Sequence, residues 1–177
     1  MIGTLLRLCA VLLLVGACAS APDEIPPPPG DAGELGMPGD AAGRGIASSD
    51  LPPGVEPGSQ EDLEITVGDR IFFEYDSAVL SPLATQTLDR QAAWLQNYPD
   101  VTVTIEGHAD ERGTREYNLA LGDRRANAVR NYLVALNVDP ERVLTISYGE
   151  ERPAVPGNDD SAWAKNRRGV TVVNVVN

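Results

Sequence analysis

The chain has 177 residues and a mass of 18.8 kDa, and its 14 Lys+Arg against 26 Asp+Glu give a formal net charge of -12. That length predicts one modest globular domain, and the acidic balance argues against a phosphate-backbone binder, which relies on Lys and Arg to displace counterions. Cys9, Cys18 and His108 are the only Cys and His residues, too few for a Cys/His zinc site.

The first segment, residues 1–17, carries Arg7 and then an uninterrupted apolar run from Leu8 to Val15, closed by Gly16 and Ala17. Such a run is far short of the roughly 20 residues a bilayer-spanning helix needs, and it suits the h-region of a secretory signal. The order Leu14-Val15-Gly16-Ala17-Cys18 resembles a bacterial lipobox, which implies cleavage before Cys18 and acylation of its sulfur. Three acyl chains, as that resemblance implies, would anchor the protein permanently. The same resemblance implies outer-membrane sorting, because Ala19 stands where many lipoproteins retained at the inner membrane have an aspartate.

Residues 18–60 form the second segment. From residue 19 onward it holds 9 Pro and 8 Gly, no aromatic residue, and seven acids against Arg44. A stretch of that composition cannot bury enough apolar surface to offset its ordering entropy, so a disordered tether is expected. Its end-to-end distance as a flexible chain is about 35–40 Å.

Residues 61–177 contain every Phe, Tyr and Trp and carry 12 Lys+Arg against 19 Asp+Glu. A short strand is expected at Leu63–Val67, then a β-rich run from Arg70 to Tyr75 ended by Asp76-Ser77. Ser81-Pro82 reads as a helix cap and first position, and Ala84, Leu88, Ala92 and Leu95 recur at helical spacing before Tyr98-Pro99. Val101 to Ile105 alternates as a half-buried strand. A polar loop from Gly107 leads to Thr114, which can cap a second long helix running to about Asn137. A strand at Val143–Tyr148, a turn-rich loop, a short helix at Asp160–Asn166 and a closing strand at Val170–Val176 complete the order β-α-β-α-β-(α)-β. That order predicts an α+β domain of two layers, helices packed on a four-stranded mixed sheet.

The second long helix carries an anomaly. Tyr117, Leu121, Ala128, Val129, Tyr132, Leu133 and Leu136 define an apolar stripe, yet Arg125 lies near its middle and Asn118 at its N-terminal end. A guanidinium aimed at the core requires a carboxylate or another acceptor, and the nearest acids are Asp110 and Glu111. Two readings follow: a buried Arg125–Asp110 pair tying loop to helix, or a pocket in which Arg125 reads a ligand carboxylate and Asp110 a ligand ammonium.

The runs Phe72-Phe-Glu-Tyr-Asp76-Ser77, VTVTIEGHADERGT at residues 101–114, Glu116 to Val129, Ile146-Ser-Tyr-Gly149 and Asn166-Arg-Arg168 closely resemble the peptidoglycan-binding domain of the OmpA family. Within it, the likeness is strongest to the lipoprotein branch. The resemblance implies non-covalent binding of peptidoglycan through the meso-diaminopimelate of its stem peptide, with Asp110 meeting the ammonium and Arg125 the carboxylate. Asp76, Ser77, Gly113, Thr114, Asn118 and Arg168 would stand around them. It further implies an outer-membrane lipoprotein facing the periplasm, with TolB and the other Tol proteins as partners in envelope integrity and constriction at cell division. Alternatives are an OmpA-like lipoprotein serving a different machine, or an enzyme acting on peptidoglycan. No GxSxG turn or HExxH helix supports catalysis, and neither metal nor cofactor is expected.

Overall fold

The computed structural model describes residues 51–174. The signal, Cys18, most of the tether and the last residues of the closing strand therefore lie outside the described residues. The elements are α1 (Gln60–Thr66), β1 (Arg70–Phe72), α2 (Pro82–Asn97), β2 (Thr102–His108), α3 (Arg115–Ala135), a 3-10 turn at Pro140–Arg142, β3 (Val143–Gly149), α4 (Asp160–Asn166) and β4 (Arg168–Asn174). The strands form one sheet in the order β1-β4-β2-β3. The β2–β3 pair is parallel, joined through α3, and the other two pairs are antiparallel. The architecture is thus the α+β, helix-on-mixed-sheet domain expected.

Local chemistry sets the helix starts. The Ser81 hydroxyl accepts from the Ala84 amide at 3.1 Å ahead of Pro82, and the Thr114 hydroxyl does the same for Tyr117 at 3.2 Å. Each satisfies an amide that the first helical turn leaves without a partner. The α2 stripe of Ala84, Leu88, Ala92 and Leu95 is buried in one cluster with Val103 and Ile105 of β2, Leu133 of α3 and Val143 of β3.

Leu63–Thr66 is helical and Val67 is the C-cap, which corrects the strand expected at Leu63–Val67. The β-branched alternation Ile65-Thr66-Val67 is overridden by a strong cap: Ser59 accepts from the Asp62 amide at 3.2 Å, and Glu61 and Asp62 occupy the first turn. Asp62 is itself buried, accepting from Gly58 N at 2.8 Å and from Trp94 Nε1 at 3.1 Å, so α1 is tied to α2. The boundary drawn between residues 60 and 61 falls inside α1, and Leu51–Ser59 form turns closed by Val55 N to Pro52 O and Ser59 N to Glu56 O.

α3 lies across β2, β3 and β4. Its line of closest approach is fixed by two glycines: a Cβ on Gly107 of β2 would stand 1.8 Å from the carbonyl oxygen of Gly122. The buried side of α3 follows that contact through Asn118, Leu121, Gly122, Arg125, Ala126, Val129 and Leu133. Tyr117 is therefore not a core residue but 44% exposed, and Ala128 is only half-buried.

Candidate functional site

β1 is shorter than the run Arg70–Tyr75 suggested. After Phe72 the chain leaves the sheet, Phe73 N donating to Arg167 O at 2.9 Å, and Asp76 takes a left-handed backbone conformation with φ of 52°. The turn presents carbonyl oxygens to α3. Arg125, fully buried, donates from Nε to Ser77 O at 2.8 Å, from Nη2 to Glu74 O at 3.0 Å and from Nη1 to His108 O at 2.7 Å. Its guanidinium carbon lies 5.2 Å from the centre of the Phe73 ring. Burial, with Arg167 nearby, draws the Arg125 pKa down to about 10, so the side chain stays charged at neutral pH.

The anticipated buried Arg125–Asp110 ion pair is absent among the described residues; three backbone carbonyls meet the arginine instead. Asp110 has other partners. Its Oδ1 accepts from the backbone N and from Nε of Arg112, both at 3.1 Å, and its Oδ2 accepts from Arg112 Nη2 at 2.7 Å and Arg167 Nη1 at 3.4 Å. Burial works against this carboxylate, but the Arg112 and Arg167 hydrogen bonds outweigh it and hold its pKa below the ordinary value.

Arg125 and Asp110 nonetheless share one cavity of about 210 Å3, open beside the start of α3. Five of the eight expected binding residues line it: Asp76, Asp110, Gly113, Asn118 and Arg125. Gly113 has φ of 115°, a backbone that favours glycine, and leads the loop into the Thr114 cap. Asn118 is buried and donates from Nδ2 to Glu150. Ser77 contributes its carbonyl to Arg125 rather than its hydroxyl to the cavity, and Thr114 acts as the cap of α3. Arg168 does not reach the site. As the first residue of β4 it donates to Asn166 O at 3.4 Å and Arg152 O at 3.1 Å, while its neighbour Arg167 touches Asp110.

Arg112, Arg167, Tyr75, Tyr117 and Leu121 join the site without having been singled out for it. Tyr117, Leu121 and Arg125 stand four residues apart on one helix face, a signal the sequence did offer. The Tyr117 hydroxyl donates to the Asp76 carboxylate. Arg112 is stacked between the Tyr75 and Trp163 rings, its guanidinium carbon 4.1 Å from each centre. The cavity thus sets two carboxylates beside two arginines at a helix N-terminus, where amides and dipole favour an anion. Its volume suits one small group carrying both charges. Among the described residues, no group of three or more His, Cys, Asp or Glu is gathered to hold a metal ion.

The chain belongs to the OmpA family, whose pattern matches residues 72–167 and so takes in every residue that lines the cavity, from Tyr75 to Arg125. It is 54% identical over 144 residues to a peptidoglycan-associated lipoprotein of Rhizobium meliloti, covering 81% of this chain and 80% of that one. With the peptidoglycan-associated lipoprotein of Brucella melitensis it shares 50% identity over 162 residues, 92% of this chain and 86% of the other. Among solved structures, that of the peptidoglycan-associated lipoprotein from Burkholderia pseudomallei superposes with a TM-score of 0.59 at 39% identity, covering 60% of this chain and 90% of that one.

Proposed function

We propose that this chain is a non-enzymatic binding protein that holds peptidoglycan through the meso-diaminopimelate of its stem peptide. The observation that carries the reading is the convergence of Arg125 and Asp110 on one small cavity. A free amino-acid end group presents a carboxylate and an ammonium on one carbon. Arg125 commits three of its five N–H groups to carbonyls, so two remain for the ligand carboxylate, and the adjoining N-terminus of α3 adds its field. Asp110 and Asp76 supply the acceptors for the ammonium. The carbonyl cradle holds the guanidinium in one orientation before ligand arrives, which spares the complex the entropy of ordering it.

With the lipobox-like segment ending at Cys18, and with relatives described as lipoproteins, the same reading makes the protein a lipid-anchored link between outer membrane and cell wall. We further place it with TolB and the other Tol proteins in envelope constriction, on the strength of the family likeness of residues 70–176. Sedimentation of the full-length protein with purified peptidoglycan tests the pocket. Asp110→Asn and Arg125→Lys are each expected to weaken binding about tenfold or more while far-ultraviolet circular dichroism stays native. Undiminished sedimentation of both variants would remove Asp110 and Arg125 from the binding site.

A further inference from the structure

Asp110 has no acceptor capacity to spare. A carboxylate offers about four lone-pair positions, and four donors fill them here: the backbone N, Nε and Nη2 of Arg112, and Nη1 of Arg167. The carboxylate is 4% exposed, so water does not compete for it freely. A ligand ammonium can therefore bond to Asp110 only by replacing one of these donors.

The four donors are not equally easy to move. The Arg112 amide is fixed by the loop, and Arg167 is anchored a second time by its Nε, which donates to Phe73 O at 3.0 Å. The Arg167 side chain is 13% exposed, that of Arg112 30%. The Arg112 guanidinium is held by Asp110 and by its stacking between Tyr75 and Trp163, and as the more exposed of the two side chains, with no second backbone anchor of the kind Arg167 has, it is the one that can exchange Asp110 for water. We propose that Arg112 is a resident occupant of the ammonium subsite, which a ligand enters by exchanging its own cation for the Arg112 guanidinium on Asp110.

This inference rests on the reading of the cavity as a diaminopimelate site and adds a specificity rule to it. Replacing a guanidinium with an ammonium keeps a close cation against the buried carboxylate throughout, whereas a neutral donor would leave it only the longer contact to Arg167 at 3.4 Å, a poorer compensation of the charge. Arg112 thereby excludes ligands lacking a cationic group from Asp110. It also lowers the affinity of the ligand that succeeds, because only the fraction of molecules with a free subsite is competent to bind.

Calorimetric titration of the full-length protein and its Arg112→Gln variant with meso-diaminopimelate, and with pimelate as the same carbon chain without ammonium groups, tests the exchange. Arg112→Gln is expected to bind diaminopimelate at least about threefold tighter than the parent, and pimelate no tighter. Equal or weaker binding of diaminopimelate by a natively folded Arg112→Gln would overturn the exchange and leave the pocket assignment intact, as would an equal gain for pimelate. No binding of diaminopimelate by the parent protein would overturn both. Should Arg112→Gln fold poorly, the Arg112 Nε–H resonance of the parent protein gives a second readout. It should shift and lose its protection from exchange at saturation with diaminopimelate, and an unchanged resonance would overturn the proposal.

Discussion

Both ends of β2 are closed by an arginine that gathers three backbone carbonyls. At the start of the strand, Arg142 donates to Val101 O and Leu95 O at 2.9 Å and to Tyr98 O at 2.7 Å, binding the last turn of α2 to the sheet. At its far end, Arg125 does the same for Glu74, Ser77 and His108. Gathering carbonyls therefore does not by itself make a site. Arg142 is half-buried, comes from a short 3-10 turn and takes the carbonyls of Leu95 and Tyr98 at the end of α2 and of Val101 ahead of β2. Arg125 is fully buried and projects from a long helix, and it shares its cavity with Asp76 and Asp110. Each arginine keeps two N–H groups uncommitted to carbonyls, so the difference lies in the burial of Arg125 and in the carboxylates that share its cavity.

Removing each arginine should separate the two roles most sharply. Arg125→Ala strands three acceptors, one at a buried position, and is expected to cost about 3–5 kcal/mol of stability. Arg142→Ala exposes its carbonyls to water and is expected to cost about 1–2 kcal/mol. Urea unfolding measures both, and only the Arg125 variant should also lose peptidoglycan binding. Equal losses, or a binding defect in Arg142→Ala, would erase the distinction between a structural end and a functional one.

A smaller effect is expected where α3 approaches β2. Gly107→Ala places a methyl group against the Gly122 carbonyl, where only a backbone shift can relieve the overlap, and about 2–3 kcal/mol should be lost. Because α3 carries Arg125 and β2 ends at His108, that shift also moves the guanidinium relative to its carbonyls. Ligand binding should fall with stability in this variant. Loss of stability alone would show that the Arg125 end tolerates displacement of its helix.

How far these features can be read from the sequence depends on what each contact uses. Ser81, Thr114 and the α2 stripe were legible because caps and periodicity are local. Arg125 was legible as an anomaly, since an arginine inside an apolar stripe must be met by something. Its actual partners were not, because the direction of a carbonyl depends on where β1 leaves the sheet, and the run Arg70–Tyr75 carries no mark at Phe72. Arg167 and Arg168 show the limit of adjacency: Arg167 is the bend that caps α4 and Arg168 opens β4, so one reaches Asp110 and the next turns to Arg152 and Asn166. The Tyr75–Arg112–Trp163 stack joins three separate segments, and no spacing in any of them announces it.

The last effect also belongs to the Arg125 end and depends on pH. His108, whose carbonyl holds Arg125, is 1% exposed; its ring lies 5.6 Å from that of Tyr148, and Nε2 is 3.3 Å from Glu106 Oε2. Its Nδ1 is buried without a hydrogen-bond partner among the described residues. Burial, reinforced by the positive charges of Arg168 and Arg152, lowers its pKa from 6.5 to about 4. Between those values the unfolded chain binds a proton that the folded domain refuses, so stability rises with pH across this window and is complete above it. Asp110 contributes in the same direction, but its pKa lies below the ordinary value of 3.8, so its loss begins at lower pH. His108→Gln should therefore flatten the fall in urea midpoint between pH 6.5 and 4.5 without altering the steeper loss below it. Parallel midpoint curves for parent and variant would mean that the buried ring accepts its proton in the folded state, against the burial and the two flanking arginines that oppose it.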